Sequence, residues 1–97
     1  MDIEIIDERQ ATLGQYRLLV DGVEVGELDH RTSEGIRTFT HTGVRPEFEG
    51  RGLAARLARR GLDDARADGV KVIPRCWYIA RYIDQHPDDA DLLAVPS

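Results

Sequence analysis

Ile36-Arg37-Thr38-Phe39-Thr40-His41-Thr42-Gly43-Val44-Arg45-Pro46-Glu47-Phe48-Glu49-Gly50-Arg51-Gly52-Leu53-Ala54 is the stretch whose reading decides the fold. Its first half, Ile36 to Val44, is rich in β-branched and aromatic residues and predicts a strand. Pro46 breaks that strand, and Gly50 and Gly52 make a turn. From Leu53 the apolar period changes. Leu53, Ala54, Leu57, Ala58, Gly61, Leu62 and Ala65 follow helical spacing and share one face, while Arg56, Arg59, Arg60, Asp63, Asp64 and Arg66 point the other way. Gly69, just past Asp68, suits the end of that helix. A strand that runs through glycines into a helix has a physical use. The first N–H groups of the helix lack internal partners, the macrodipole makes that end electropositive, and glycines let an anion approach the amides.

Working outward, Tyr16 to Val20 and Val23 to Leu28 flank Asp21-Gly22, the strongest short hairpin signal. Ile3, Ile5 and Asp7 alternate with Glu4, Ile6 and Glu8 in a first strand, and Ser33-Glu34-Gly35 makes a second turn. The first half is therefore an antiparallel meander. Beyond the long helix, Val70-Lys71-Val72-Ile73-Pro74 reads as a short strand with its proline at the end. Trp77 to Gln85 predicts a second helix, stopped by Pro87. After an acidic run, Leu92 to Val95 reads as a short segment packing back. A helix between two strands implies a crossover that sets them side by side and parallel. The expected fold is α/β (α+β): a mixed, mainly antiparallel sheet with helices packed on it.

The 97 residues have room for one domain, expected over 1–97. Cys76 is the only cysteine, so no internal disulfide or cysteine zinc cluster forms, and a lone thiol fits a reducing, cytoplasmic compartment. The three histidines show no metal-ligand spacing, so no metal is expected. No signal-like N-terminus and no run near the roughly 20 apolar residues of a membrane span is present, and no membrane partner is expected. A net charge of −5 disfavours nucleic acid. The arginines between Arg45 and Arg66 are either a landing site for phosphates or a solvated helix face. Oligomeric state is open between a monomer and a weak edge-paired dimer.

Three ligand readings of the glycine turn compete with an empty strand-to-helix turn. A P-loop needs Lys-Ser or Lys-Thr after the second glycine, where Leu53-Ala54 stand. A dinucleotide fingerprint needs a third glycine, where Ala55 stands, and a parallel unit first. The segment His41 to Ala54 instead resembles the coenzyme A signature of the GNAT superfamily of N-acetyltransferases: a strand ending in Val, a loop with Pro, then Gln/Arg-x-x-Gly-x-Gly/Ala at a helix start. Gly52 and Ala54 match its last two defined positions, and Glu49 replaces the Gln or Arg. Ile73 to Pro87 is similar to the next strand and helix of a short-chain branch of that family, with Trp77 and Tyr78 departing from its Pro-Phe pair. The two helices and extra strands of full-length members have no counterpart here, which implies an acceptor site that is open or completed by a partner.

The resemblance implies transfer of an acetyl group from acetyl-CoA, as co-substrate, to an amine. It implies a thioester and pantetheine held by the main chain of Gly43, Val44 and Arg45. The diphosphate would lie on Glu49, Gly50, Arg51, Gly52, Leu53, Ala54 and Ala55, chiefly on amides from Gly50 onward, with Arg51 and Arg56 either adding charge or facing solvent. Cys76, at a strand end before a helix, is a candidate for transient acylation or proton transfer, against an inert buried thiol. Tyr82 is a candidate acid for the leaving thiolate, against core packing. His41 is a candidate base, its facing left open by strand alternation. His86, before Pro87, reads as a charge favourable to a helix C-terminus. The alternative function is a non-catalytic acyl-CoA-binding or protein-interaction module.

Overall fold

The computed structural model describes residues 1–95, so the last two positions of the expected domain lie outside the described residues. Five strands, β1 (Ile3–Gln10), β2 (Leu13–Val20), β3 (Val23–Ser33), β4 (Ile36–Val44) and β5 (Lys71–Pro74), form one sheet in sequence order. The first four are antiparallel neighbours, and β5 lies parallel to β4 after the crossover helix α1 (Leu53–Asp68). Helix α2 (Trp77–Gln85) follows β5, and short 3₁₀ helices span Pro46–Phe48 and Pro87–Leu92. The β2–β3 hairpin closes on Asp21 and Gly22 at φ 50° and 83°, the left-handed pair a two-residue turn requires.

The amphipathic stripe of α1 does what its spacing predicts. Leu53, Leu57, Ala58, Leu62 and Ala65 are buried against Tyr16, Leu18, Leu28 and Phe39, and Ala54 is half-buried at the edge. Gly61 lets the helix come close: a Cβ there would stand 2.8 Å from Leu28 and 3.0 Å from Phe39. Ile79, Tyr82 and Ile83 of α2 and Leu92 join the same core, so both helices cover one face of the sheet. The other face carries polar residues, among them Arg17 bridging Glu8 and Glu24.

The charged side of α1 is not a free basic patch. Arg60 binds Asp64, which also accepts the Tyr16 hydroxyl, and Arg66 binds Asp91. Arg59 grips Asp89 with both terminal nitrogens at 2.8 and 2.7 Å, and Asp89 is only 3% exposed. These pairs fasten the tail, where Leu93 bridges to Val72 and the Ala94 amide donates to the Val72 carbonyl. Among the described residues, Arg45, Arg51 and Arg56 form no ion pair. Asp89→Ala removes a bidentate, charge-assisted pair from a buried carboxylate, and should lower the unfolding free energy by about 2 kcal/mol in urea. Amide exchange should then rise first at Leu93 and Ala94; a loss spread evenly over the sheet would contradict this account.

Candidate functional site

Two strands that run parallel and then part create the site. The β4–β5 ladder ends at Phe39 opposite Pro74, and the Cys76 amide donates once more to the Phe39 carbonyl at 2.9 Å. Past that point α2 turns away. Thr40 to Val44 therefore keep β3 on one side and have no strand on the other. A bulge at Thr40 sets which side chains face which way: Asp29 pairs with His41 and His30 with Phe39, leaving Thr40 over. Regular alternation from Phe39 would have turned His41 into the core. The bulge instead turns Thr42 inward, 3.3 Å from the Cys76 sulfur, and His41 outward.

The glycine turn lies at the open end of β4. Gly52 caps α1 at φ 74°, a left-handed conformation in which glycine carries no Cβ penalty. No side chain caps this end and its first turn holds no acidic residue. The first bond of the helix runs from the Arg56 amide to the Gly52 carbonyl at 3.2 Å, which leaves the amides of Leu53, Ala54 and Ala55 without helical partners. They border a pocket of about 210 Å³ shared with Val44, Phe48 and Tyr78. Such an end suits a diphosphate. Glu49 also lines the pocket, a carboxylate where an anion would lie, and Arg51 sits with its guanidinium 5.1 Å from the centre of the Phe48 ring.

A second hollow, about 280 Å³, runs along α2 between Trp77, Tyr78, Arg81, Tyr82 and Gln85. Tyr78 lines both, and its partial burial pushes its hydroxyl pKa up. Tyr82 is 8% exposed, stacked on His86 with ring centres 3.9 Å apart, and Arg59 approaches its ring. His86 Nδ1 lies 2.7 Å from the Tyr82 carbonyl, placed for an Nδ1–H to donate to the last turn of α2. Trp77 is 71% exposed.

Of the residues singled out in the sequence, Val44, Glu49, Gly50, Gly52, Leu53, Ala54 and Ala55 line the hollow at the start of α1, whereas Gly43 and Arg45 line, with Val44, a separate cavity beside Gln15, Glu24 and Glu27, and Arg51 lines neither. Cys76 is buried on the helix-covered side, as is most of Tyr82. His41 is not brought to them. Its side chain is 57% exposed on the helix-free face, with Nε2 3.9 Å from Glu27 Oε1. Thr42, Tyr78 and Glu27 complete the neighbourhood, and no spacing pattern in the sequence marked any of them. Among the described residues, no group of three potential metal ligands gathers.

The family model for GCN5-related N-acetyl-transferases matches residues 15–92. "Protein NATD1" of Homo sapiens is 38% identical over 52 residues, which cover 54% of this chain and 46% of that one. The Xenopus tropicalis protein of the same name is 38% identical over 47 residues, 48% of this chain and 43% of that one. The matched segment thus spans under half the length of these relatives. Among solved structures, a GCN5-like protein from Staphylococcus aureus superposes with a TM-score of 0.71 at 20% identity, over 93% of this chain and 86% of that one. The ribosomal-protein-S18-alanine N-acetyltransferase of Escherichia coli gives 0.69 at 17% identity, over 79% of this chain and 54% of that one. An N-acetyltransferase from Thermoplasma acidophilum solved with coenzyme A gives 0.58 at 10% identity, over 61% of this chain and 37% of that one. With a parting β4–β5 pair, an uncapped glycine turn between β4 and α1, and a family match over most of its length, the chain belongs to the GCN5-related N-acetyl-transferase family.

Proposed function

We propose that this protein is an acyl-CoA-dependent N-acetyltransferase that transfers an acetyl group to an amine. The observation that carries the reading is the row of unpartnered amides at Leu53, Ala54 and Ala55, beside the open edge of β4 and unopposed by any acidic residue in the first turn of α1. In this reading the diphosphate lies on the turn from Gly50 to Ala55, Arg51 and Arg56 stand near it as unpaired cations, and the thioester lies along Gly43, Val44 and Arg45. Tyr78 and Tyr82 border the sulfur end, and Cys76 sits behind it with its thiol turned to Thr42. Residues 1–97 act as one domain, and the single thiol goes with a reducing, cytoplasmic setting.

Titration of the ¹⁵N-labelled protein with coenzyme A tests this. The amides of residues 50 to 55 should shift most, and Gly52→Val, which forces a β-branched side chain into a left-handed position, should weaken binding about tenfold or more. Shifts confined elsewhere would reject the cradle. A second reading, a non-catalytic acyl-CoA-binding module, is favoured by one observation: His41 lies across the sheet from Cys76 and Tyr82. Release of free thiol from acetyl-CoA with a panel of amines separates the two. Binding without thiol release on any amine decides for the module.

A further inference from the structure

Glu49 is the one charged side chain among the residues that border the hollow of about 210 Å³ at the start of α1. The rest of the lining is glycine, apolar side chain and the Tyr78 ring. The nearby arginines do not balance it. Arg51 lies over the Phe48 ring, 5.1 Å from its centre, and Arg45 lines the separate cavity beside Gln15 and Glu24. Among the described residues, Glu49 forms no ion pair. The main chain holds the residue in place. Its amide donates to the Pro46 carbonyl at 3.2 Å, closing the short turn Pro46–Phe48, and Gly50 follows at φ 78°. Two turns therefore fix Glu49 at the border of the hollow and leave only its side chain free to move.

A carboxylate just ahead of α1 lies in the favourable field of a helix N-terminus. Yet no side chain hydrogen-bonds to that end, so Glu49 brings negative charge to it without closing it. From this we infer that Glu49 is a built-in competitor of the coenzyme's diphosphate; the inference rests on the acyl-CoA reading above. In the free protein its charge complements the helix end. When the donor arrives, the same charge repels the phosphates and sets the affinity below what the bare amides would give. Phosphate contacts then count for less, and the pantetheine arm along β4 carries a larger share of the choice between donors. The same repulsion speeds departure of free coenzyme A, since affinity within one site is tuned mostly through the off-rate. Glu49 is thus a specificity residue that acts on the handle of the donor, not on its reacting atoms.

The test is an NMR titration of the full chain at neutral pH with coenzyme A and, separately, with pantetheine, which lacks the diphosphate. Glu49→Ala removes the charge and adds no new donor. It should tighten coenzyme A about fivefold, the upper end of what one exposed charge pair is worth, and leave pantetheine unchanged. In about 0.5 M sodium chloride the gain should shrink below about twofold, because repulsion between exposed charges is screened. Glu47→Ala controls for net charge: this carboxylate is exposed two residues earlier and does not border the hollow. It should change coenzyme A binding by less than about twofold. Equal tightening in the two variants, an equal gain for pantetheine, or coenzyme A bound no more tightly by Glu49→Ala would overturn the inference. The level beneath it fails differently: coenzyme A would then shift no amide of residues 50 to 55, in the wild type and in Glu49→Ala alike.

Discussion

Alanine at Gly14 will destabilise the domain by about 3 kcal/mol, at the upper end of what overpacking a tight core costs, and will lower its melting temperature by roughly 10–20 °C. Gly14 on β2 pairs directly with His30 on β3, and the His30 ring lies flat over the space a side chain would take. A Cβ at position 14 would stand 2.2 Å from His30 Cε1 and 2.5 Å from Nε2. The ring has no easy retreat. It is held between Tyr16 and Phe39, with ring centres 5.2 and 5.8 Å away, and His30 is only 4% exposed. The clash therefore spreads into the core that α1 packs on. His30→Ala costs stability by itself through the cavity it leaves, but it should absorb most of the Gly14→Ala penalty. The double variant should then lie close to His30→Ala alone, a coupling of about 2 kcal/mol in a mutant cycle. Additive losses would mean that the ring is not what fills the space.

How much of this was legible in the sequence depends on what each feature requires. The Asp21-Gly22 hairpin, the bounds of β4 and the length of α1 rest on local chemistry: two left-handed turn positions, a run of β-branched residues, an apolar stripe between two glycines. Local rules sufficed there, and the parallel β4–β5 pair followed from the crossover. The glycine turn was legible for the same reason, since an uncapped helix start needs only its own residues. The candidate catalytic groups were not. Whether His41 faces the core depends on one extra residue in β4, and the bulge at Thr40 that decides it is fixed by the pairing of β3 with β4, not by the segment itself. The Thr42 contact to Cys76 and the placement of Tyr78 between two hollows depend on where β5 ends and α2 turns off. The arginines of α1 looked equivalent along the helix. Only the return of the tail showed that Arg59 and Arg66 are committed to holding Asp89 and Asp91, while Arg56 forms no ion pair among the described residues.

These placements sharpen the division of labour across the sheet. The helix-covered side holds the uncapped amides, the aromatic side chains and the buried thiol; the open side holds Glu27, His41 and a cavity against the same backbone. Among the described residues no helix packs on that second face.

The second large effect expected is a loss of stability on acidification that begins well above the carboxylate range, and His30 is its source. Neither ring nitrogen of His30 has a hydrogen-bond partner among the described residues, and one guanidinium nitrogen of Arg37 is likewise unpartnered. The pKa of His30 is lowered from 6.5 to about 4, chiefly by burial, with the nearby charges of Arg37 on β4 and Arg9 on β1 acting in the same direction and Asp7 on β1 and Asp29 on β3 opposing them. Tyr16, which packs on the ring from β2, is itself kept neutral, its hydroxyl donating to Asp64 and its pKa pushed above the ordinary value. The unfolded chain therefore binds a proton at His30 more readily than the folded one. Above pH 6.5 the group contributes no penalty. As the pH falls from 6.5 towards 4, the unfolded state gains its proton first and stability is lost, until the folded state is protonated as well. At 1.36 kcal/mol per pH unit, the interval amounts to roughly 3 kcal/mol. Asp68 and Asp89, held below their usual range by Arg37 and Arg59, add losses of their own only at lower pH, as their folded forms titrate. His30→Phe keeps a flat ring over Gly14 and removes the titration. Urea unfolding free energies of the two proteins, measured from pH 7.5 to about pH 4, should diverge steadily below pH 6.5 in favour of the phenylalanine variant. Parallel curves over that interval would show that His30 is protonated as easily in the core as in the unfolded chain.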